Sequence, residues 1–345
     1  MNRIIDIKDG DKLLVSRTDR LGDLILALPF VESLKKRYPN CQVEVMSSLY
    51  ASPILENNQR IDRIVRVQQD QLVTNRLYKK DLLNKIRDAG YKCAVVLYPE
   101  RHISRLFYKA GIPHRIGSAG RFHSVFFNHH LFHKRKENKK HESEYNLDFL
   151  RFFRDGETVT RPAVYPLDKE QKNARRILNE AGISDRFVVL HPGSGGSAES
   201  WPFEKFIELY SILTGRGLQV IMSGTDSEGE RIEEIERKTG VRVNKITGQT
   251  DLRTLAALLS QAATVVANST GPLHLAVAVG TRVVGLYPSK EAMSPVRWGP
   301  LGEGHCLIVP PVTVCQCPPR QCRCMEMIEA GAVADEVMAV FNGRK

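Results

Sequence analysis

The sequence predicts an α/β protein of two domains, each with a parallel sheet covered by helices. Short apolar runs of strand length alternate with longer segments in which apolar residues recur at helical spacing. The 345 residues exceed what one ordinary hydrophobic core accommodates. The pattern restarts after a polar link that contains Pro162 and Pro166. We therefore expect domains at residues 1–165 and 166–345.

In the N-terminal domain the pattern predicts four strands and three helices. The strands are expected at residues 12–17, 41–48, 63–67 and 92–99. The helices are expected at residues 24–39, 72–90 and 104–112. Glycine and proline mark several of their ends, since both residues disfavour continued helix.

In the C-terminal domain the same alternation predicts four strands and five helices. The strands are expected at residues 187–193, 218–224, 264–269 and 282–288. The helices are expected at residues 169–182, 203–217, 251–262, 272–280 and 326–343. The sequence permits the last helix to pack on either domain.

The composition is that of a soluble globular protein, with 42% hydrophobic and 26% charged residues. No apolar run approaches the roughly 20 residues that span a bilayer. The first residues, MNRIIDIKDGDKLL, lack the apolar core and cleavage site of a signal peptide. We expect a cytoplasmic protein.

The formal net charge of +11 favours anionic partners. Residues 114–141 concentrate lysine, arginine and histidine. This segment is either a solvated basic loop or a face that meets an anionic acceptor or the inner-membrane surface. The membrane interpretation draws on apolar residues among these charges: Phe122, Phe126, Phe127, Leu131 and Phe132.

Ligands of parallel α/β sheets bind beyond the carboxyl ends of the strands. One such end reads NSTGPLH (268–274), where Ser269 or Thr270 can cap the next helix. Gly271 lets a ligand approach the backbone, and His274 can donate to a phosphate oxygen. This helix start suits a diphosphate. The alternative is a capped helix with a core histidine.

Two other strand ends carry small or acidic residues. HPGSGGSAESWP (191–202) can wrap backbone amides around an anion at Ser194 and Gly195. It is not a P-loop, and no GxGxxG follows the first strand, which argues against a nicotinamide dehydrogenase. In SGTDSEGE (223–230), Asp226 or Glu228 can accept from a ribose hydroxyl. Either acid can instead be an exposed residue at a helix start.

The first strand ends in RTDRLGD (17–23), which places Asp23 at a helix start. Asp23 is either an N-cap residue or a chemical group held at a ligand site.

The seven cysteines are unevenly distributed. Cys41 and Cys93 are isolated and are expected to be buried thiols. The stretch CQCPPRQCRC predicts a tetrahedral zinc or iron site of structural role. Its ligands would be Cys315, Cys317, Cys322 and Cys324. The alternative is a proline-rich loop with free or partly oxidised thiols.

Together these motifs resemble glycosyltransferase family 9, the bacterial ADP-heptose transferases of lipopolysaccharide inner-core assembly. The resemblance is carried, in the family's order, by RTDRLGDLILALPFVESLKKRYP, HPGSGGSAESWP, TGQTDLRTLAALLSQA, NSTGPLHLAVAVGTRVVGLYP and RWGPLG. It implies a GT-B fold, in which two Rossmann-like domains face each other across a central cleft. It also implies an N-terminal domain that binds the acceptor and a C-terminal domain that binds the nucleotide-sugar.

The resemblance implies inverting transfer of heptose from an ADP-sugar to an anionic glycolipid or glycan, without a catalytic metal. Asp23 would be the general base. Asp226 would bind the ribose, and Thr250 and Leu252 would lie on the adenine side. The diphosphate would be held by the strand-end residues Ser194, Gly195, Ser269, Thr270, Gly271 and His274. No nucleic acid is expected as a partner, and the protein would be cytoplasmic, peripheral at the inner membrane.

The chain departs from the family pattern at two positions. Ser269 stands where many members have aspartate, and Glu199 and Ser200 precede Trp201 where many have lysine. Cations that could replace the lysine are Arg17, Arg20 and Arg297. The alternative functions are a protein O-heptosyltransferase with a metal-binding cysteine motif and a non-enzymatic basic protein that binds nucleotides or nucleic acid.

Overall fold

The computed structural model describes residues 4–120, 122–196, 199–312, 315, 317 and 323–343. The chain forms two compact units, Met1–Tyr165 and Pro166–Lys345. Each unit contains one parallel sheet, so the α/β prediction is confirmed.

The first unit has six strands in the order β3-β2-β1-β4-β5-β6, and all pairs are parallel. The strands are β1 Lys12–Ser16, β2 Gln42–Ser48, β3 Arg63–Val67, β4 Cys93–Val96, β5 His114–Ser118 and β6 His129–Leu131. The pattern did not predict β5 and β6. Their sequences, HRIGS and HHL, are polar because they lie toward the edge of the sheet.

The helices of the first unit are α1 Leu21–Ile25, α2 Leu28–Arg37, α3 Gln69–Thr74, α4 Arg76–Asp88, α5 Arg101–Lys109 and α6 Glu142–Leu147. The single helix predicted at 24–39 is wrong, because Pro29 lacks an N–H and its ring would clash with the carbonyl of Ile25 in a continuous helix. The single helix predicted at 72–90 also divides, at Asn75, whose side chain accepts from the backbone N–H of Leu77 and Tyr78 and starts α4.

The second unit has five strands in the order β11-β10-β9-β7-β8, again all parallel. The strands are β7 Phe187–His191, β8 Gln219–Met222, β9 Thr264–Asn268, β10 Val283–Leu286 and β11 Cys306–Ile308. The helices are α7 Asp168–Glu180, α8 Phe203–Gly215, α9 Asp226–Thr239, α10 Leu252–Gln261, α11 Gly271–Ala278, α12 Pro295–Trp298 and α13 Ala330–Phe341.

The last helix, α13, packs on the second unit. It lies against α8 and the strands β9 and β10. Its buried residues, among them Val333 and Val337, share one hydrophobic core with Trp201 and Phe206. Of the two positions that the sequence permits, the structure therefore shows the one on the C-terminal unit.

Candidate active site

Asp23 lies at the carboxyl end of β1, in the first turn of α1. The helix begins at Leu21, and Arg20 occupies the N-cap position without a side-chain capping bond. The N-cap interpretation of Asp23 is therefore wrong, because Asp23 is the third residue of the helix. Its carboxylate Oδ1 instead accepts from Nη2 of Arg17, and its side chain is 16% exposed.

Arg17 is the centre of a buried cluster of polar side chains. Its Nε donates to Oδ1 of Asp19 over 2.7 Å, and its Nη1 lies 3.2 Å from both Oε1 of Glu142 and Oδ1 of Asn146. Its side chain is only 1% exposed. Burial opposes the charge, but Asp19, Asp23 and Glu142 outweigh burial and raise the pKa of the guanidinium. One cation thus orients three carboxylates.

The short helix α6 supplies the other wall of the Arg17 cluster. Glu142 and Asn146 are one turn apart, so both face Arg17. Glu142 is fully buried and also accepts from Nη1 of Arg135 over 2.8 Å. The amide of Asn146 donates to the carbonyl of Leu26, at the break between α1 and α2. Sequence reasoning missed both residues, because they lie more than 100 positions from Arg17.

Asp19 is the second acid of the cluster near the end of β1. Burial raises its pKa from 3.8 to about 6; the charge of Arg17 opposes this shift and that of Asp23 adds to it. Asp19 therefore changes its protonation state below neutral pH.

In the second unit, Asn268 at the end of β9 fastens the loop that follows β7. Its Nδ2 donates to the carbonyl of Pro192 over 2.9 Å, and its Oδ1 accepts from the backbone N–H of Trp201 over 2.8 Å. The indole of Trp201 donates to the carbonyl of Ile328 over 3.0 Å. The loop that carries Ser194 is thus held at both ends. Sequence reasoning did not single out Asn268.

The loop after β7 also requires glycine. A Cβ on Gly193 would lie 1.9 Å from Oε1 of Glu228, and Gly195 has a φ of +51°. Ser194 is half-buried beside this glycine. A cavity of about 590 Å³ adjoins the loop, lined by Ser194, Gly195 and residues of α8 and α9. Residues 197 and 198 lie outside the described part.

Of the two acids proposed for the ribose, Glu228 is committed to the start of α9. Its Oε2 accepts from the backbone N–H of Thr225 over 2.8 Å, and the hydroxyl of Thr225 accepts from the N–H of Glu228, which makes a capping box. Asp226 is exposed in the first turn beside Gly248, where a Cβ would lie 1.7 Å from its Oδ1. Because Asp226 is exposed and Glu228 is held in the capping box, Asp226 is the better candidate to accept from a ribose hydroxyl.

The start of α11 lies at the carboxyl end of β9. Thr270 is at the N-cap position, but its side chain makes no capping bond and its hydroxyl donates to the carbonyl of Asn268 over 3.2 Å. The expected side-chain cap is therefore wrong. Gly271 is the first helical residue, and Ser269 is half-buried. His274 is in the first turn and only 4% exposed.

The start of α10 is capped by Asp251, whose Oδ1 accepts from the N–H of Thr254 over 2.7 Å. Thr250 and Leu252 flank this cap and are half-buried. Arg253 is buried and pairs with Glu170 of α7, with Nη2 and Oε2 2.6 Å apart. This ion pair fixes α10 against α7.

Glu199 and Ser200 precede Trp201 where many family members have a lysine, but a different segment of the chain brings a lysine to this loop. Lys290, which follows β10, pairs with Glu199. Sequence reasoning proposed Arg17, Arg20 and Arg297 instead. Arg17 lies in the buried cluster of the first unit, and the guanidinium of Arg297 lies 4.8 Å from the ring centre of Trp298. Lys290 is therefore a better candidate than Arg17 or Arg297.

A model of glycosyltransferase family 9 (heptosyltransferase) matches residues 80–325, well over half of the chain. The chain belongs to glycosyltransferase family 9. The predicted family is thus confirmed, and with it a glycosyltransferase. The match begins after residue 23, so Asp23 lies outside the matched range.

This family 9 member is similar to lipopolysaccharide heptosyltransferases and to a glycosyltransferase whose name gives no substrate. A Haemophilus influenzae protein, named provisionally as a glycosyltransferase without a substrate, is 28% identical over 87% of this chain and 90% of its own. Lipopolysaccharide heptosyltransferase 3 of Escherichia coli is 24% identical over 82% of this chain and 83% of its own. The solved structure of E. coli ADP-heptose lipopolysaccharide heptosyltransferase II superposes with a TM-score of 0.76 at 21% identity, covering 97% and 99% of the two chains.

The predicted cysteine site of this family 9 chain finds no support in the described residues, where no group of three or more His, Cys, Asp or Glu could hold a metal. Cys315 and Cys317 are half-buried and Cys324 is buried. Cys322 lies outside the described residues. The zinc or iron site stays a prediction.

Within the part of the chain that the structure describes, no helix is long and apolar enough to cross a bilayer.

Proposed function

We propose that the protein is an inverting glycosyltransferase that moves heptose from ADP-heptose to a lipopolysaccharide inner-core or related glycan. The family and the names of the similar proteins support the reaction class. One observation carries the assignment of the base: a buried guanidinium, Arg17, holds the carboxylate of Asp23 at the carboxyl end of β1.

In the proposed reaction, an acceptor hydroxyl attacks the anomeric carbon from the face opposite the diphosphate. Asp23 takes the proton of that hydroxyl while the bond from the anomeric carbon to the diphosphate oxygen breaks. ADP leaves with the electron pair, and the configuration inverts. Because Arg17 engages Oδ1 of Asp23, we assign the proton to Oδ2. A positioned base of this kind contributes about 10²–10⁴-fold to the rate.

The second unit would bind the donor. The backbone amides of Ser194 and Gly195 and the start of α11 at Thr270 and Gly271 suit the diphosphate. His274 would donate to a phosphate oxygen. These groups and Lys290 would stabilise the leaving charge in place of a metal ion.

The second unit would also contact the ribose, the adenine and the sugar of the ADP-heptose. Asp226 would accept from the ribose hydroxyls, and Thr250 and Leu252 would contact the adenine. Ser269 would face the sugar, where the smaller neutral side chain leaves more room than the aspartate of other members.

The function is tested by incubating the purified chain with ADP-heptose, or with UDP- or GDP-sugars, and with a heptose-deficient core glycolipid, a candidate acceptor protein or RNA. We expect transfer from ADP-heptose to the glycolipid alone, with an inverted anomeric centre in the product by NMR. Transfer to protein would favour the O-heptosyltransferase alternative. Binding to RNA without transfer of any sugar would refute the proposal.

A further inference from the structure

Three segments of the first unit meet where β1 ends. Gln69 follows β3, Thr18 follows β1 and Glu100 follows β4. Nε2 of Gln69 donates to the carbonyl of Thr18 and, over 2.9 Å, to Oε1 of Glu100. Because Thr18 directly follows Arg17, which holds the proposed base, this junction lies at the same edge of the sheet as that base.

The side chain of Gln69 is fixed at this junction and half-buried. The N–H of the preceding Gln68 donates to the hydroxyl of Tyr78 in α4 over 3.0 Å. The two hydrogen bonds to Thr18 and Glu100 use both N–H groups of the Gln69 amide. Among the described residues, no hydrogen bond reaches the amide oxygen of Gln69. The junction therefore leaves an oriented hydrogen-bond acceptor for a ligand.

Glu100 supplies a second group that accepts hydrogen bonds. It occupies the N-cap position of α5 but makes no side-chain capping bond, and it is half-buried. Burial raises the pKa of its carboxyl group, while the hydroxyl of Thr18 and the charge of Arg17 oppose this shift. A ligand hydroxyl that donates to Glu100 would stabilise the ionised form, whereas a ligand anion would add a like charge beside it.

The buried cation of this edge is already paired. Asp19, Asp23 and Glu142 engage the Nε, Nη2 and Nη1 atoms of Arg17, whose side chain is only 1% exposed. An anionic ligand group could bind Arg17 only by displacing one of these carboxylates, which would then lack its partner in a buried place. Arg17 is therefore a poor binding site for a phosphate or a carboxylate of the ligand.

An exposed aromatic side chain stands at the neighbouring strand end. Tyr50 follows β2 and is 66% exposed. The N–H of Leu49 donates to the carbonyl of Val67 over 2.9 Å, so the end of β2 lies beside the end of β3, two residues before Gln69. A tyrosine ring can cover the apolar C–H face of a sugar while its hydroxyl stays in water.

We infer that the acceptor sugar ring that meets Asp23 is uncharged, and that Gln69 and Glu100 bind it through its hydroxyl groups. Hydroxyls donate hydrogen bonds to these two acceptor groups, whereas an ionised phosphate or carboxylate has no proton to donate and is repelled by the carboxylates. The inference rests on the proposed function. It narrows the expected anionic acceptor to one whose reacting ring carries no charge.

The test compares two small acceptors that differ by one phosphate group, namely the methyl glycoside of heptose and the same glycoside with a phosphate monoester on its ring. Each is incubated with the full chain and ADP-heptose, and kcat/KM for transfer is measured. We expect the neutral glycoside to be preferred at least about 100-fold, because the carboxylates repel the phosphate. Equal values, or a preference for the phosphorylated glycoside, would overturn the inference.

The variant Glu100→Gln separates charge from shape, since glutamine keeps an oxygen for the amide of Gln69 and removes the negative charge. The preference for the neutral glycoside should fall at least about tenfold, with the dissociation constant for ADP unchanged. Glu44→Gln is the matched control. Glu44 is buried in β2, and its Oε2 accepts from the hydroxyl of Tyr91, which precedes β4. An unchanged preference in Glu100→Gln, or an equal fall in Glu44→Gln, would contradict the inference.

The hydroxyl contacts are tested with Gln69→Leu and Tyr50→Ala. The first variant loses the free amide oxygen and should raise KM for the neutral glycoside about tenfold. The second loses the ring and should raise this KM about fivefold. Unchanged KM in both variants would count against the subsite. If Gln69→Leu melts early, the result of Glu100→Gln decides, because that variant keeps the hydrogen-bonding shape.

Binding is measured separately from transfer, by saturation-transfer NMR of both glycosides with the full chain and ADP. Binding of the neutral glycoside without transfer of any sugar would refute the proposed function alone. Faster transfer of heptose to the phosphorylated glycoside would refute this inference alone.

Discussion

The carboxyl ends of β1 and β9 present contrasting chemistry. Beyond β1, the buried Arg17 joins three carboxylates and the amide of Asn146 in one charged cluster. Beyond β9, the neutral amide of Asn268 fixes a glycine-containing loop, and a helix start offers backbone N–H groups. A proton acceptor needs an oriented charge, whereas a diphosphate needs many small dipoles in a fixed frame.

The largest expected effect comes from breaking the charged cluster. Glu142→Ala removes a fully buried carboxylate shared by Arg17 and Arg135. It should lower the free energy of unfolding by about 3–5 kcal/mol, since a buried charge then lacks its partner. Chemical denaturation measures this. Glu144→Ala in the same helix, at an exposed residue of the capping box, should cost about 1 kcal/mol.

Removing the amide of Asn268, which holds the loop after β7, should have a smaller effect on stability. Asn268→Ala leaves two groups of the loop after β7, the N–H of Trp201 and the carbonyl of Pro192, without their hydrogen-bond partner on β9. It should cost about 3 kcal/mol. Calorimetry should also show weaker ADP binding. Unchanged ADP affinity in a folded variant would argue against a donor role for the loop after β7.

The two regions should also differ in their response to pH. Burial raises the pKa of Asp19 to about 6, above its value in the unfolded chain. The native state therefore holds this proton more tightly, and the resulting stability is complete below about pH 4 and lost as pH rises through 6. The loss is about 3 kcal/mol. Asp19→Asn should abolish this loss. Chemical denaturation between pH 4 and 7 measures the free energy of unfolding. The same pH dependence of that free energy in the variant and in the unchanged chain would contradict the prediction.

The smallest effect on stability is expected at Lys290. Its pair with Glu199 is partly exposed, at 23% for each side chain. Lys290→Ala should therefore change the free energy of unfolding by less than about 1 kcal/mol. If Lys290 neutralises the diphosphate, ADP affinity should still fall about tenfold. Lys205, which pairs with Glu329 and has the same exposure, provides the matched control.

Sequence patterns predicted those strands of the two sheets that are buried apolar runs, such as β1 and β7. They did not predict β5, β6 or β11, which lie at or beside a sheet edge. β6 and β11 are also short, with three residues each. The helix breaks at Asn75 and Pro29 carried readable local signals, an N-cap residue and a proline.

The candidate site was predictable only where the signal is local. The T-x-x-E pattern of Thr225 and Glu228 is a capping box and could have removed Glu228 from the ribose candidates. The partnership of Arg17 with Glu142 carries no local signal, because it depends on how α6 packs against α2. Asn268 and Lys290 were missed for the same reason.

The most direct test of the account is the single-turnover rate of Asp23→Asn at saturating ADP-heptose, measured beside the dissociation constant for ADP. Asp70→Asn is the matched control, since Asp70 also lies in the first turn of a short helix and is exposed. We predict a fall of about 10²–10⁴-fold for Asp23→Asn with ADP affinity unchanged. A rate within about twofold of the unchanged chain, or an equal fall in Asp70→Asn, would contradict the role of Asp23 as the base.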